Sequence, residues 1–306
     1  MNPAFSVIFL TTLIGAAQGL FLALFGAQLA GLASPFFLAT GGAVALALTV
    51  AGLVASFFHL GRPERAWRTA TMWRTSWLSR EVIALPLFMG SLFLWTIAQA
   101  MGLGQTLALG VLTALACGVL FVCTAMIYAS IKFLQEWASA YTLVNYTLLG
   151  LASGCTLATA LAGQLAPELV GGFGVAALLF TAVGLVSRGL SLARNERLVP
   201  RSTLQTAIGI RHPQITQRAQ GFMGGSFNTR EFFHGKTPGA LRNVKWAFLL
   251  GAFVLPLALV ALGLVSASAG LLVLAFAVQY LGLLAERWFF FAQANHPQNL
   301  YYQTVA

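Results

Sequence analysis

Two side chains form a pair able to move protons at the edge of an apolar protein. One is the imidazole in Phe57-Phe58-His59-Leu60-Gly61-Arg62-Pro63, the other the carboxylate in Trp77-Leu78-Ser79-Arg80-Glu81. His59 closes one long apolar run and Glu81 opens the next, so the two can face each other across a single connection. An imidazole and a carboxylate at the lip of an apolar pocket suit quinone chemistry. Reduction of a quinone takes up two electrons and two protons, and its carbonyls need a titratable hydrogen-bonding partner with a route to water. A plainer role fits the same residues: His59 caps a helix, and Glu81 pairs with Arg80 or Arg62 at an interface. Spacing alone leaves both open.

Few other polar groups accompany them. Gln18 is the one strongly polar side chain in the middle of the first apolar run, suited to a ligand or to bridging two helices. Tyr128 ends the fourth run with Lys132 one turn beyond, and Asn145 and Tyr146 start the fifth. A tyrosine can donate to a quinone oxygen, but it is also the usual anchor at a membrane surface, and the anchor role is expected for these. Trp67, Trp73 and Trp77 read as an interfacial belt. The four histidines (His59, His212, His234 and His296) include no pair at membrane depth, so no bis-His haem is expected. Cys117, Cys123 and Cys155 lie inside apolar runs, with no disulfide framework and no iron–sulfur or zinc spacing. No metal is expected on this chain.

The elements that must position these groups are membrane spans. Of 306 residues, 58% are hydrophobic and 8% charged, a third of the charge that wets a soluble domain. A soluble enzyme, a secreted scaffold and a disordered chain are excluded. The 17 basic and 7 acidic residues leave a net charge of +10, too sparse and clustered for nucleic acid. Eight runs reach the roughly 20 apolar residues that a membrane helix needs: Phe5–Leu32, Ala39–Leu60, Val82–Met101, Gln105–Tyr128, Tyr141–Leu165, Gly171–Leu192, Val244–Val265 and Leu271–Phe291. The fold expected is an all-α integral membrane bundle, one transmembrane domain over 1–306. The first run is too long for a signal-peptide core and is read as retained. Gly15 and Gly19 form a small-xxx-small pair for helix packing.

Lysine and arginine fall only in alternate connections. Arg62, Arg65, Arg68, Arg74 and Arg80 follow the second run, and Lys132 follows the fourth. Arg188, Arg194, Arg197 and seven more lie in the region after the sixth, and Arg287 closes the last helix. The other connections carry only Glu168. Eight spans put every basic connection and both termini on one face, which the positive-inside rule makes cytoplasmic. Residues 193–243 form a long cytoplasmic loop, too poor in aliphatic runs to bury a core and suited to docking another subunit. A small-solute transporter is disfavoured, because nothing charged is expected at the midplane and no helix is visibly broken there.

The run Phe58-His59-Leu60-Gly61-Arg62-Pro63-Glu64-Arg65-Ala66, followed by Ser76-Trp77-Leu78-Ser79-Arg80-Glu81, resembles the anchor subunits of dimethyl sulfoxide reductase and its relatives. Two further pieces, Gly221–His234 and Ala285–Phe291, look most like the branch serving sulfite-oxidising complexes. The resemblance implies a three-part complex in the bacterial inner membrane. A molybdopterin catalytic subunit and a four-cluster iron–sulfur subunit would dock on the cytoplasmic face, while this chain exchanges electrons with ubiquinone or menaquinone. The family's quinone-site histidine and acidic residue carry over to His59 and Glu81. Gln18 and Tyr128 match by position polar groups of polysulfide-reductase anchors, and Arg62 lies within the motif. The implied activity is transfer of electrons from sulfite to quinone. The alternative is the reverse current, oxidising menaquinol for a reductase of sulfoxides, N-oxides or polysulfide.

Overall fold

The computed structural model describes residues 1–216, 232–297 and 299. Eight helices long and apolar enough to cross a membrane occupy it. They are α1 (Phe5–Leu29), α2 (Pro35–Phe57), α3 (Trp77–Ala100), α4 (Thr106–Ala129), α5 (Ala140–Leu165), α6 (Val170–Glu196), α8 (Pro238–Val265) and α9 (Ala269–Ala292). A short helix, α7 (Leu204–Ile208), lies in the long loop. Most of the expected docking segment 193–243 is described. Residues 217–231, which include Arg218, Arg230 and most of the Gly221–His234 piece, lie outside the described residues.

Local chemistry sets the helix starts. Ser34, Ser76, Thr237 and Ser268 each accept a hydrogen bond from the backbone N–H three residues on, and Pro35 and Pro238 occupy first positions where no donor is missed. These caps lengthen α2 and α8 at their starts relative to the apolar runs. They also start α3 at Trp77, so Glu81 sits in its second turn rather than at its opening. At the other end of the connection, α2 stops at Phe57 and His59 falls in the turn beyond. Likewise α4 stops at Ala129, leaving Lys132 in the turn rather than on the helix.

Helices α1 and α5 are the inner pair of the bundle. Along their seam Gly19 and Gly154 bring the two backbones into direct contact: a Cβ at Gly19 would overlap the Gly150 carbonyl, and one at Gly154 would overlap the Gly19 backbone. The Gly15/Gly19 pair read from the sequence is half of this seam. Around it α1 also packs on α2, α4 and α9, α3 packs on α4, and α9 packs on α5 and α8. Outward-facing apolar side chains such as Phe36, Leu87, Leu115, Val186 and Leu281 are exposed. A lipid-solvated surface tolerates them and water does not.

Helix α8 is irregular. Its residues Leu250–Val254 form a π-helical turn just before Pro256, which has no N–H to give the preceding turn. The freed carbonyl of Ala252 is met by Nε2 of Gln279 on α9, at 3.3 Å. The same amide also donates to Thr181 of α6, at 3.1 Å.

Candidate functional site

The end of the bundle that carries the basic connections also gathers the polar side chains singled out from the sequence. The starts of α1, α3 and α5 and the ends of α2, α4, α6 and α9 meet there, and Ile8 of α1 shares a packed cluster with Phe290 and Phe291 of α9.

The Glu81 carboxylate turns inward and accepts a hydrogen bond from Thr124 of α4, at 2.5 Å. Around it Gln18, Thr11, Ile14 and Gly15 of α1, Phe121 of α4 and Tyr146 of α5 line a narrow crevice of about 10 Å³, room for about one water. Gln18 is buried and donates to the backbone oxygen of Cys117, at 2.9 Å, so it bridges α1 to α4 as well as lining the crevice. Arg80 does not pair with Glu81. It folds back on its own connection, donating to the carbonyls of Trp73 (2.9 Å) and Arg74 (2.8 Å), with its guanidinium 4.2 Å from the Trp77 ring centre.

On the lipid side of α3 and α4 lies a second space, an open apolar groove of about 640 Å³. Trp73, Trp77 and Arg80 roof it, and Ala84, Leu87, Val119 and Cys123 form its floor. Glu81 and Ala84 are one turn apart on α3, and Thr124 follows Cys123 on α4. Crevice and groove therefore adjoin across the α3–α4 seam.

His59 is exposed in the turn after α2. Among the described residues no hydrogen bond or ion pair joins it to Glu81, so the direct meeting expected across the connection does not occur. Glu81 is drawn one turn deeper by the Ser76 cap and satisfied by Thr124, while α2 ends before it can carry His59 inward. Desolvation still holds the His59 imidazole below the ordinary histidine range. Arg62 is also exposed, at the head of a 3-10 segment, Pro63–Met72. In this connection Arg68 covers Trp67 and Arg74 covers Trp73, at 5.5 and 5.4 Å.

Tyr128 is neither an exposed anchor nor a wall of the crevice. It is buried among Trp137, Tyr146, Phe290 and Phe291, with ring centres 5.3–5.7 Å away. The Trp137 indole N–H donates to the Phe290 carbonyl, at 2.9 Å, which ties the α4–α5 connection to α9. Asn145 accepts from Ser187 of α6, at 2.7 Å, and is likewise internal.

Sequence reasoning misses a buried charge cluster. Arg188 of α6 and Glu286 of α9 form an ion pair at 2.7 Å, each about 1% exposed. Arg287 lies 3.8 Å from the other Glu286 oxygen, and its guanidinium stands 3.7 Å from the Tyr146 ring centre. Sequence position puts Arg188 in the cytoplasmic region and Arg287 at a helix end, because each lies within a turn or two of a span boundary. A usable signal is present: Ser187 and Ser191 flank Arg188, giving α6 a polar stripe to set against the adjacent Glu286 and Arg287.

Over residues 1–291 the chain matches the family described as DMSO reductase anchor subunit (DmsC). It belongs to that family. This anchor-family chain is 52% identical over 325 residues to a subunit of the sulfite dehydrogenase of Allochromatium vinosum, covering 100% of both chains. It is 33% identical over 150 residues to anaerobic dimethyl sulfoxide reductase chain YnfH of Escherichia coli, covering 46% of this chain and 52% of that one. No solved structure matches it.

Proposed function

We propose that this chain is the quinone-reactive membrane anchor of a sulfite-oxidising complex. The observation that carries the proposal is the Glu81 crevice, a partly buried carboxylate with hydrogen-bonding neighbours, adjoining an apolar groove open to lipid. A quinone ring travels in the hydrocarbon layer, so an apolar groove of about 640 Å³ on the lipid side is a suitable approach. Its carbonyls need polar partners only at the end of that path. Glu81, Gln18 and Thr124 supply them across the seam. Because the crevice holds only about 10 Å³, side chains along the seam must turn aside as the ring arrives.

Glu81 holds the proton-exchanging position, with Thr124 fixing its carboxylate. His59, exposed at the same end and desolvated below its ordinary range, is neutral at pH 7 and exchanges protons with water. Arg62 adds positive charge at that rim, and Tyr128 supports the crevice from the aromatic cluster behind it. The partner subunits, one carrying molybdopterin and one carrying iron–sulfur clusters, would oxidise sulfite and deliver electrons to the basic face of this chain. The full-length similarity to a sulfite dehydrogenase subunit favours this direction of flow. The shorter similarity to a dimethyl sulfoxide reductase chain favours the reverse current, with menaquinol oxidised at the same crevice.

The test is sulfite-dependent quinone reduction by the purified complex carrying Glu81→Gln or His59→Ala. Glu81→Gln is expected to lower turnover by about 100-fold, the low end of what positioned proton transfer contributes, and His59→Ala by less. Unchanged turnover and quinone KM in both would overturn the assignment.

A further inference from the structure

Tyr146 occupies the place beside Glu81 that the family resemblance suggested for Tyr128. It lines the Glu81 crevice, and Tyr128 does not. Its side chain is 5% exposed, and its hydroxyl has no partner in hydrogen-bonding geometry. Tyr128 and Arg287 both lie within hydrogen-bonding reach of that hydroxyl, though not in good geometry, and Glu81 acts on it electrostatically. Buried hydroxyls in native proteins are nearly always paired, because an unmade bond leaves the cost of desolvation uncompensated. The Tyr128 hydroxyl and the Arg287 guanidinium can each donate to its oxygen, so its own O–H, on the wall of a crevice and fixed to no acceptor in good geometry, is left for a ligand.

The ring is held for this purpose from both sides. It stacks on Tyr128 at 5.7 Å and 23°, and meets Phe290 edge-on at 5.6 Å. Arg287 lies 3.7 Å from its centre, a cation over the π face, which holds the ring and draws electron density from it, strengthening the hydroxyl as a donor. Arg287 in turn lies against Glu286, whose other oxygen is held by Arg188.

Resting on the reading of the crevice as the quinone site, we propose that Tyr146 is a further quinone-binding residue. Its hydroxyl donates to a quinone carbonyl oxygen beside Glu81, and Arg287, braced by Glu286 and Arg188, is the residue that positions it. The recognised chemistry is a planar ring bearing an acceptor oxygen, and no proton or electron need leave Tyr146.

The experiment uses the purified complex and a short-chain quinone. Each rate is divided by the rate of sulfite-dependent ferricyanide reduction, a soluble acceptor that bypasses the membrane subunit, so that incomplete assembly cancels. Tyr146→Phe keeps the ring and its stacking while removing the hydroxyl. It is expected to raise quinone KM about three- to tenfold, the value of one hydrogen bond, with kcat little changed. Arg287→Lys is expected to raise KM in the same direction, and to add nothing in the Tyr146→Phe background, since both act through one hydroxyl. An unchanged KM in Tyr146→Phe, alongside a loss in Glu81→Gln, would remove Tyr146 and leave the site standing. No change in either would remove the quinone site itself. Fully additive effects of Arg287→Lys and Tyr146→Phe would remove the positioning role.

Discussion

Arg188 and Glu286 form their 2.7 Å pair with about 1% exposure each, in a protein whose surroundings are hydrocarbon. Such a pair costs much to desolvate, and its worth shows mainly when one member is taken away. Glu286→Gln is expected to destabilise the chain by roughly 3–5 kcal/mol, because two guanidinium groups are left without their carboxylate. Arg188→Met together with Glu286→Gln should cost less than the sum of the two single changes, measured as thermal unfolding of the detergent-solubilised complex. Fully additive losses would mean that the two groups do not act as a pair. His59 gives a pH prediction of definite sign. Its imidazole is held below the ordinary range, so it gains charge only as pH falls below about 6.5. If it feeds protons inward, quinone reduction by the wild type rises on acidification through that range, and His59→Gln loses the rise. Superimposable pH–rate profiles would take His59 out of the path. Of these residues, His59 and Glu81 were legible from sequence because each borders an apolar run beside a motif. Arg188, Glu286 and Tyr146 were not, since composition gives approximate depth while the direction a side chain faces depends on which helix lies opposite.

The helices themselves were legible to within a few residues, because the length of hydrocarbon to be crossed sets the length of each apolar run. Their boundaries were not, since Ser76 or Thr237 acts as a cap through one hydrogen bond that hydropathy does not register. The α1–α5 seam was half legible: Gly15 and Gly19 announce a close approach but do not name the partner. In the structure Gly154 completes it, and the contact is backbone on backbone, so no side chain can swing aside. Gly154→Leu is expected to force α1 from α5 and to abolish accumulation of the assembled complex in the membrane. Gly26→Leu, on the same α1 but with nothing within 4 Å of a Cβ, should accumulate normally. Equal yields of the two variants would show that the seam does not hold the bundle. A milder test concerns the π turn in α8. Gln279→Leu leaves the Ala252 carbonyl without its donor, a loss expected to cost about 1–3 kcal/mol, read as a lowered Tm.

At the scale of the whole molecule, one end carries both the charge and the candidate site. The crevice, the Arg188–Glu286–Arg287 cluster and every basic connection lie there, while the opposite connections hold only Glu168. Positive connections remain cytoplasmic during insertion, so the proposed quinone site should sit at the inner face. Electrons would then arrive, and protons be taken up, from the same side, and the reaction would move no net charge across the bilayer. Orientation can be read directly, because Cys117, Cys123 and Cys155 are all buried and give little background. Lys132 and Glu168 are both exposed, in connections at opposite ends of the bundle. With a maleimide that cannot cross membranes, Lys132→Cys should label only in inside-out vesicles, and Glu168→Cys only in right-side-out ones. The reverse pattern would turn the docking face outward, and a cytoplasmic sulfite-oxidising partner could then no longer reach the end of the bundle where Glu81 lies.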